Sequence, residues 1–581
     1  MKNSQLTLEH ALYVAALALA VGLRFLHLGA LPLSDYEANW ALQSLRVVQG
    51  LRPAIGPNPA YVHLTAIVFY MFSATNFLAR FWPALAGTLL VLAPWGLRGR
   101  IGRGAALVLA FGLAIDPGLV AMSRLAGGPM LAISSLSLAG LMWMNGKRSG
   151  AGFFAGLALL SGPSIWFGLL GLALAWGLVA LLKKKKIEPA GLPVDGEMEA
   201  SPATDTRLPR ESLRGPLAWL LGTLLVLGSL LILSPKGLPA FVLSLGTSLS
   251  GWWTLSDTPI WKPLLALPAY ELLPLGFGIA AAVRGILKRD RDSILLGIWA
   301  LVALVLALIY PGKQTYDLTW ALLPLWTLAA IELAHHFDFE GRNMWEIAGL
   351  GVLIMALLIF GWLNLAGLTK MDLTTDTAHM HLLLLAAVVL LVGLSIVLVG
   401  AGWSADAARL GGVWAGVLAL GLFSLAMSTG AAGLRQPLTV ELWQPEPRTG
   451  RVDVLLKVAN QISDLNKGTD GQLPLTIQGV DSTALEWLFH NWQVTTVSTL
   501  APDSTPEMVI SPISQVSLGA TYRGEALPLR EVPDWDHATT SNWLTWLVYR
   551  QMPVLREDVI LWVRDDLMLD SQGLPPTQTN P

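Results

Sequence analysis

The chain has 581 residues, 54% of them hydrophobic and 13% charged, with a formal net charge of −2. A soluble globular domain carries about 25% charged residues, so this chain falls far short of what a water-soluble surface needs, and it carries no basic field suited to nucleic acid. It has no cysteine, which excludes disulfides, thiol nucleophiles and cysteine metal sites.

In chain order, Met1–His10 leads into the apolar run Ala11–Leu23, which ends at Arg24 without a small-residue cleavage site. It reads as a first spanning helix that is retained. A polar interruption, Pro32–Pro59, follows, and then Tyr61–Leu97, where two apolar runs flank Arg80; because Arg98, Arg100 and Arg103 favour the cytoplasmic side, one of these runs reads either as a span or as an interfacial or re-entrant segment. Residues 1–182 thus form an N-terminal transmembrane region with a first external loop at 29–60. Lys183–Arg214 opens with four lysines and continues rich in Pro, Glu, Asp and Ser, the composition of a disordered cytoplasmic loop. Residues 215–431 hold a second transmembrane region with uncharged apolar runs such as Ile294–Tyr310, Ile347–Leu365 and Leu382–Val399. Hydrocarbon offers an exposed amide no partner, so such runs must be spanning helices. With the lysines inside, seven crossings follow them and an even number precedes them, for about 13 spans in all. This arrangement places the N-terminus in the cytoplasm and puts the Lys313 loop and residues 432–581 outside. The 24 tryptophans suit membrane interfaces.

Residues 432–581 change character and predict a small extracytoplasmic α/β domain. Leu473–Val480, Gln493–Val497, Met508–Ile510 and Val559–Val563 read as strands, and Ser482–Asn491 and Ser541–Arg550 as helices. No catalytic motif stands out there.

Chemistry concentrates after the first helix. Asp35 and Glu37 sit just beyond the membrane exit, ahead of the amphipathic stretch Ala38–Val48. An acidic pair there is either an ordinary solvated loop or the place for a general base acting on a lipid-borne substrate. Lys313 reads equally as a snorkelling flank residue or an anion contact. Arg80, Arg124, His63 and the pair His335-His336 read first as structural.

The segment from Arg24-Phe25 through Pro32 to Asp35, Glu37 and Ala38 resembles the first external loop of the GT-C superfamily of polyprenyl-phosphate-sugar-dependent glycosyltransferases, which includes the protein O-mannosyltransferases and the lipid A aminoarabinose transferase. Asn58-Pro59-Ala60-Tyr61 stands where the family has His-Pro-Pro-Leu, and Arg80-Phe81-Trp82-Pro83-Ala84-Leu85-Ala86-Gly87 is similar to its Arg-x-Pro-Ala-Leu-x-Gly. Asp116-Pro117 through Ser123-Arg124, and Lys313 through Tyr316 to Leu323-Pro324, match two later segments, so the resemblance covers roughly the first 335 residues. The chain departs in splitting the family's adjacent Asp-Glu with Tyr36, in lacking the histidine, and in carrying Gly127-Gly128-Pro129 after the Ser-Arg.

The resemblance implies a polytopic α-helical membrane enzyme moving a sugar from a polyprenyl-phosphate-linked donor to a protein, lipid or glycan acceptor at the external face of a cell membrane. It implies that Asp35 or Glu37 is the base, that Lys313, with Tyr316 or Arg124 adding donors, contacts the donor phosphate, and that Asn58 is an acceptor or sugar contact. Trp252, beside Trp253 and Asp257 in the outer loop 234–262, reads from its residue types either as a sugar contact with Asp257 or as an interfacial anchor. No spacing demands a metal, and oxygen ligands leave a divalent ion open. The split acidic pair also admits a scaffold that has lost the chemistry and serves polyprenyl-linked glycan transport or a flippase. A generic transporter would need mid-bilayer charges or matching broken helices, and the chain has no evident internal repeat.

Overall fold

A computed structural model describes residues 8–184, 211–337, 343–513 and 518–568. Most of the expected cytoplasmic loop at 183–214 lies outside them. The chain is a polytopic helical membrane protein with a small C-terminal sheet domain. Among the described residues eight helices are long and apolar enough to cross a membrane, or ten if two bent pairs count as one span each. Four further apolar helices, Pro59–Phe72, Met130–Met144, Leu213–Gly228 and Gly237–Ser250, are shorter. At 1.5 Å per residue they reach roughly 21–24 Å, less than a hydrocarbon core. The sequence reading of about 13 crossings counted apolar runs. It could not tell a full span from a short helix or from two halves of a broken one.

Burial sorts the spans. Asp376–Gly402 is apolar on every side and has only Ala378 and Val388 buried, so lipid is its solvent. Thr319–Ala334 is buried along most of its length and puts Trp320 and Trp326 at the centre of the largest core.

The two broken spans meet. Arg103–Ile115 and Pro117–Ser123 bend by 56° and Trp261–Tyr270 and Leu272–Lys288 by 88°. Asp116 sits at one break and Glu271 at the other, and their side chains pair. A residue before proline leaves helical geometry, which accounts for the break before Pro117. The backbone groups freed in apolar surroundings must find partners. Arg24, wholly buried, donates to the carbonyls of Ala114 (3.0 Å) and Leu113 (2.8 Å). Asp116 accepts the Leu119 amide at 2.6 Å and Glu271 the Gly118 amide at 3.2 Å.

The sheet has strands β1 Arg448–Thr449, β2 Leu475–Gln478, β3 Val494–Val497, β4 Met508–Pro512, β5 Tyr522–Pro533 and β6 Val554–Arg564, in the order β1-β5-β6-β4-β2-β3 among the described residues. β2 runs parallel to β3 and β4, and the other pairings are antiparallel. Helix Val452–Lys467 lays Val452, Leu455, Ala459 and Ile462 on the sheet face, at the 3–4 residue spacing of one helical stripe. That helix and β5 went unrecognised in the sequence. Gly524, Pro528 and Pro533 interrupt the run of β5, and Pro528 sits where its register with β6 slips.

Two fastenings join this domain to the bundle. At one, helix Thr540–Tyr549 brings Trp543 and Trp546 against Trp261 and Tyr270, and Arg550 lies 4.4 Å over both the Tyr270 and Trp546 rings. At the other, helix Thr483–Leu488 meets the first loop through Asp35, described next.

Candidate functional site between the first loop and the domain junction

Ser34 starts helix Asp35–Val48 by a capping box: its Oγ accepts the Glu37 amide at 3.3 Å, and Glu37 Oε2 accepts the Ser34 amide at 3.2 Å. Asp35 and Glu37 are therefore two apart on a helix, and neighbours at that spacing face different ways. Asp35 turns to the sheet domain. Its Oδ1 accepts from Ser482 Oγ (2.7 Å) and the Ala484 amide (2.9 Å), and its Oδ2 pairs with Arg530 Nε (2.7 Å). Burial pushes the Asp35 carboxyl up, but the Arg530, Ala484 and Ser482 hydrogen bonds and the Arg530 charge outweigh it and hold it below the usual range.

Glu37 turns to the bundle. It takes Arg80 Nε at 2.7 Å and Nη2 at 2.6 Å in a fork, and Oε1 also accepts the Ala126 amide at 3.1 Å. Arg80 spends its other donors on the carbonyls of Leu28, Leu31 and Pro32. One ion pair thus fastens the chain leaving the first helix to a residue about fifty positions later. It leaves neither Glu37 oxygen unbonded.

Beside this pair lies a cavity of about 110 Å³. Its charged lining is Glu37, Arg80, Arg124, Glu441, Glu446 and Arg448. Arg124 caps the first helix, with Nη1 donating to the carbonyls of Leu23, Arg24 and Leu26 and Nη2 to that of His27. Burial, with Arg80 nearby, lowers its guanidinium to about 10, which leaves it charged at neutral pH. Burial likewise pulls Arg448 below its usual value, with Glu441 opposing.

The cavity lining therefore includes Glu37 and Arg124, and not Asp35, Lys313, Tyr316, Asn58, Trp252 or Asp257. Lys313 lies in the turn after Tyr310, and Tyr316 packs against the main core. Asn58 caps helix Pro59–Phe72 and donates to the Gly127 carbonyl at 3.2 Å. Trp252 packs edge-on against Tyr310 with ring centres 5.1 Å apart, and Asp257 is exposed. Glu441, Glu446 and Arg448 were not singled out in the sequence. The signal available was the dense run of charge and tryptophan immediately after the last span. Among the described residues no group of three or more His, Asp or Glu could hold a metal ion.

The fold is shared with solved structures. The chain aligns with the crystal structure of ArnT from Cupriavidus metallidurans bound to undecaprenyl phosphate at a TM-score of 0.52, over 96% of this chain and 99% of that one, with 14% identity. The apo structure of the same protein aligns at 0.53 over 97% and 100%, also with 14% identity. No family model and no curated protein matches.

Proposed function

We propose that this chain is a membrane glycosyltransferase that moves a sugar from a polyprenyl-phosphate-linked donor to an acceptor, at the external face where the sheet domain stands. The observation that carries the reading is the arginine-lined cavity, in a fold shared end to end with a protein crystallised with undecaprenyl phosphate. Arg124 is the phosphate anchor: it lines the cavity, and all its hydrogen bonds go to neutral carbonyls, so its charge is uncompensated by a direct ion pair. Lys313 and Tyr316 lie outside the lining, and the proposal gives the phosphate to Arg124.

An acceptor hydroxyl attacks the anomeric carbon, the bond from that carbon to the phosphate oxygen breaks, and polyprenyl phosphate leaves with the electron pair. The hydroxyl proton passes to a carboxylate, and in-line attack inverts the anomeric centre. Of the two first-loop carboxylates, Glu37 faces the cavity and orients Arg80, while Asp35 docks the sheet domain. Positioning supplies most of the rate.

Binding of undecaprenyl phosphate to the full chain in nanodiscs tests the reading. Arg124→Gln should weaken it about tenfold, the effect of one charge-assisted contact. No binding by the wild type, or equal binding by both, refutes it. A second reading, a scaffold that handles polyprenyl-linked glycans without transfer, draws on one observation: both first-loop carboxylates are fully bonded. Lipid binding with no sugar transfer to any acceptor in native membranes would favour it.

A further inference from the structure

Three carboxylates line the cavity, and they differ in what they already hold. Glu37 is committed to Arg80, Ser34 and Ala126. Glu446 accepts the Tyr36 amide at 2.6 Å. Glu441 is only 5% exposed, yet among the described residues neither of its oxygens makes a hydrogen bond of ordinary geometry, the Tyr270 hydroxyl being its near polar neighbour. Arg448 also lines the cavity and lies within the electrostatic reach of Glu441, and its Nε is buried and unpartnered too. Leaving such groups unsatisfied costs a protein about 1–3 kcal/mol for each, more for a charge. Native structures therefore rarely keep them without a use.

Slack does not explain the vacancy, because the backbone is pinned on both sides of Glu441. The Val440 amide donates to the Arg550 carbonyl (2.7 Å), and the Val440 carbonyl accepts Trp546 Nε1 (2.9 Å). The Leu442 amide donates to the Tyr270 hydroxyl (3.1 Å), and Lys262 Nζ holds the Gln444 carbonyl at 3.0 Å. A β-carbon at Gly430 would lie 2.7 Å from Glu441 Oε1, so the carboxylate packs closely against the end of the last span. The same fastening that seats the sheet domain thus holds the backbone on both sides of Glu441 at the cavity, and Arg448, set on β1 against β5, leaves its Nε open there.

We propose that Glu441 and Arg448 bind the sugar of the donor, with the Glu441 oxygens accepting from two sugar hydroxyls and Arg448 Nε donating to a sugar oxygen. The assignment rests on the donor reading above and divides the cavity. A phosphate would be repelled by Glu441 and belongs on the Arg124 side. A polyhydroxylated ring carries several hydroxyl donors and no charge, so it supplies the hydrogen bonds Glu441 lacks. A site built to bond a substrate hydroxyl discriminates strongly against a ligand without it, because its own polar groups are then stranded.

The test is mass spectrometry of the endogenous polyprenyl phosphates that co-purify with the full chain from its native membrane, beside binding of added undecaprenyl phosphate and thermal unfolding. The wild type should retain glycosylated polyprenyl phosphate. Glu441→Gln should lower the ratio of glycosylated to bare lipid by at least about tenfold and bind added undecaprenyl phosphate as the wild type does. Its melting temperature should stay close to the wild type's, because the amide keeps the shape of the side chain and no hydrogen bond of ordinary geometry is lost. Arg448→Gln should shift the ratio in the same direction. An unchanged ratio overturns the proposal, as does a lower melting temperature with both lipids lost in parallel, which marks a structural role. A wild type that holds only bare lipid also overturns it while leaving the phosphate reading standing. A wild type that holds neither lipid removes both.

Discussion

The Glu37–Arg80 pair should be the most costly single contact to break in the first loop. Its side chains are only 6% and 8% exposed, and Arg80 makes two hydrogen bonds to Glu37 and three to carbonyls of the segment Leu28–Pro32. Glu37→Gln keeps an oxygen for the Ala126 amide and removes the charge facing Arg80. The guanidinium then stays buried among carbonyls with no counter-ion, a loss of about 3–5 kcal/mol. Arg80→Met removes the other partner and strands Glu37 at a similar cost. The double variant should recover much of the loss, because neither charge is then left alone, so a double-mutant cycle should give a coupling energy of about 3 kcal/mol. Equilibrium unfolding in mixed micelles, followed by tryptophan fluorescence, measures it. A coupling below about 0.5 kcal/mol, the level expected of a surface pair, would refute the claim that this pair fastens the loop.

Three further outcomes follow from the same geometry. Asp35→Asn removes the charge opposite Arg530 and should loosen the sheet domain by about 1–2 kcal/mol; limited proteolysis of the 432–447 link should then run roughly five- to thirtyfold faster, and an unchanged rate counts against the docking role. Asp35 is held below its ordinary value of 3.8, so its contribution is fully present above that value and fades as pH falls through the lower folded value. Domain release should therefore rise only below about pH 4 in the wild type, and the acid step should vanish in Asp35→Asn. Gly87→Ala would place a β-carbon 2.0 Å from Ser123 Oγ, which accepts Arg24 Nε at 3.1 Å; forcing that group aside should cost about 1–3 kcal/mol, read as a lower unfolding midpoint.

What the sequence by itself determined was set by local chemistry. Long uncharged runs such as Leu382–Val399 have to be spanning helices because hydrocarbon cannot satisfy an exposed amide, so the membrane class was legible residue by residue. The four sheet segments legible in the sequence, among them Gln493–Val497 and Met508–Ile510, carry short runs rich in β-branched or apolar residues. The twelve-residue strand Tyr522–Pro533 does not, and its pairing with Val554–Arg564, not its own propensity, makes it a strand. Resemblance in the first loop pointed to Asp35 and Glu37, but which way each faces depends on the helix that Ser34 caps and on partners at Arg80 and Arg530, 43 and 495 positions away. The cavity is a further step removed. Glu441 and Arg448 follow the last span by sequence, and only the fastening of Trp546 and Arg550 onto the broken helix Trp261–Tyr270 brings them beside Arg124. Periodicity reports one element at a time, whereas a site assembled from the ends of several elements exists only once their packing has set its charges and its empty space.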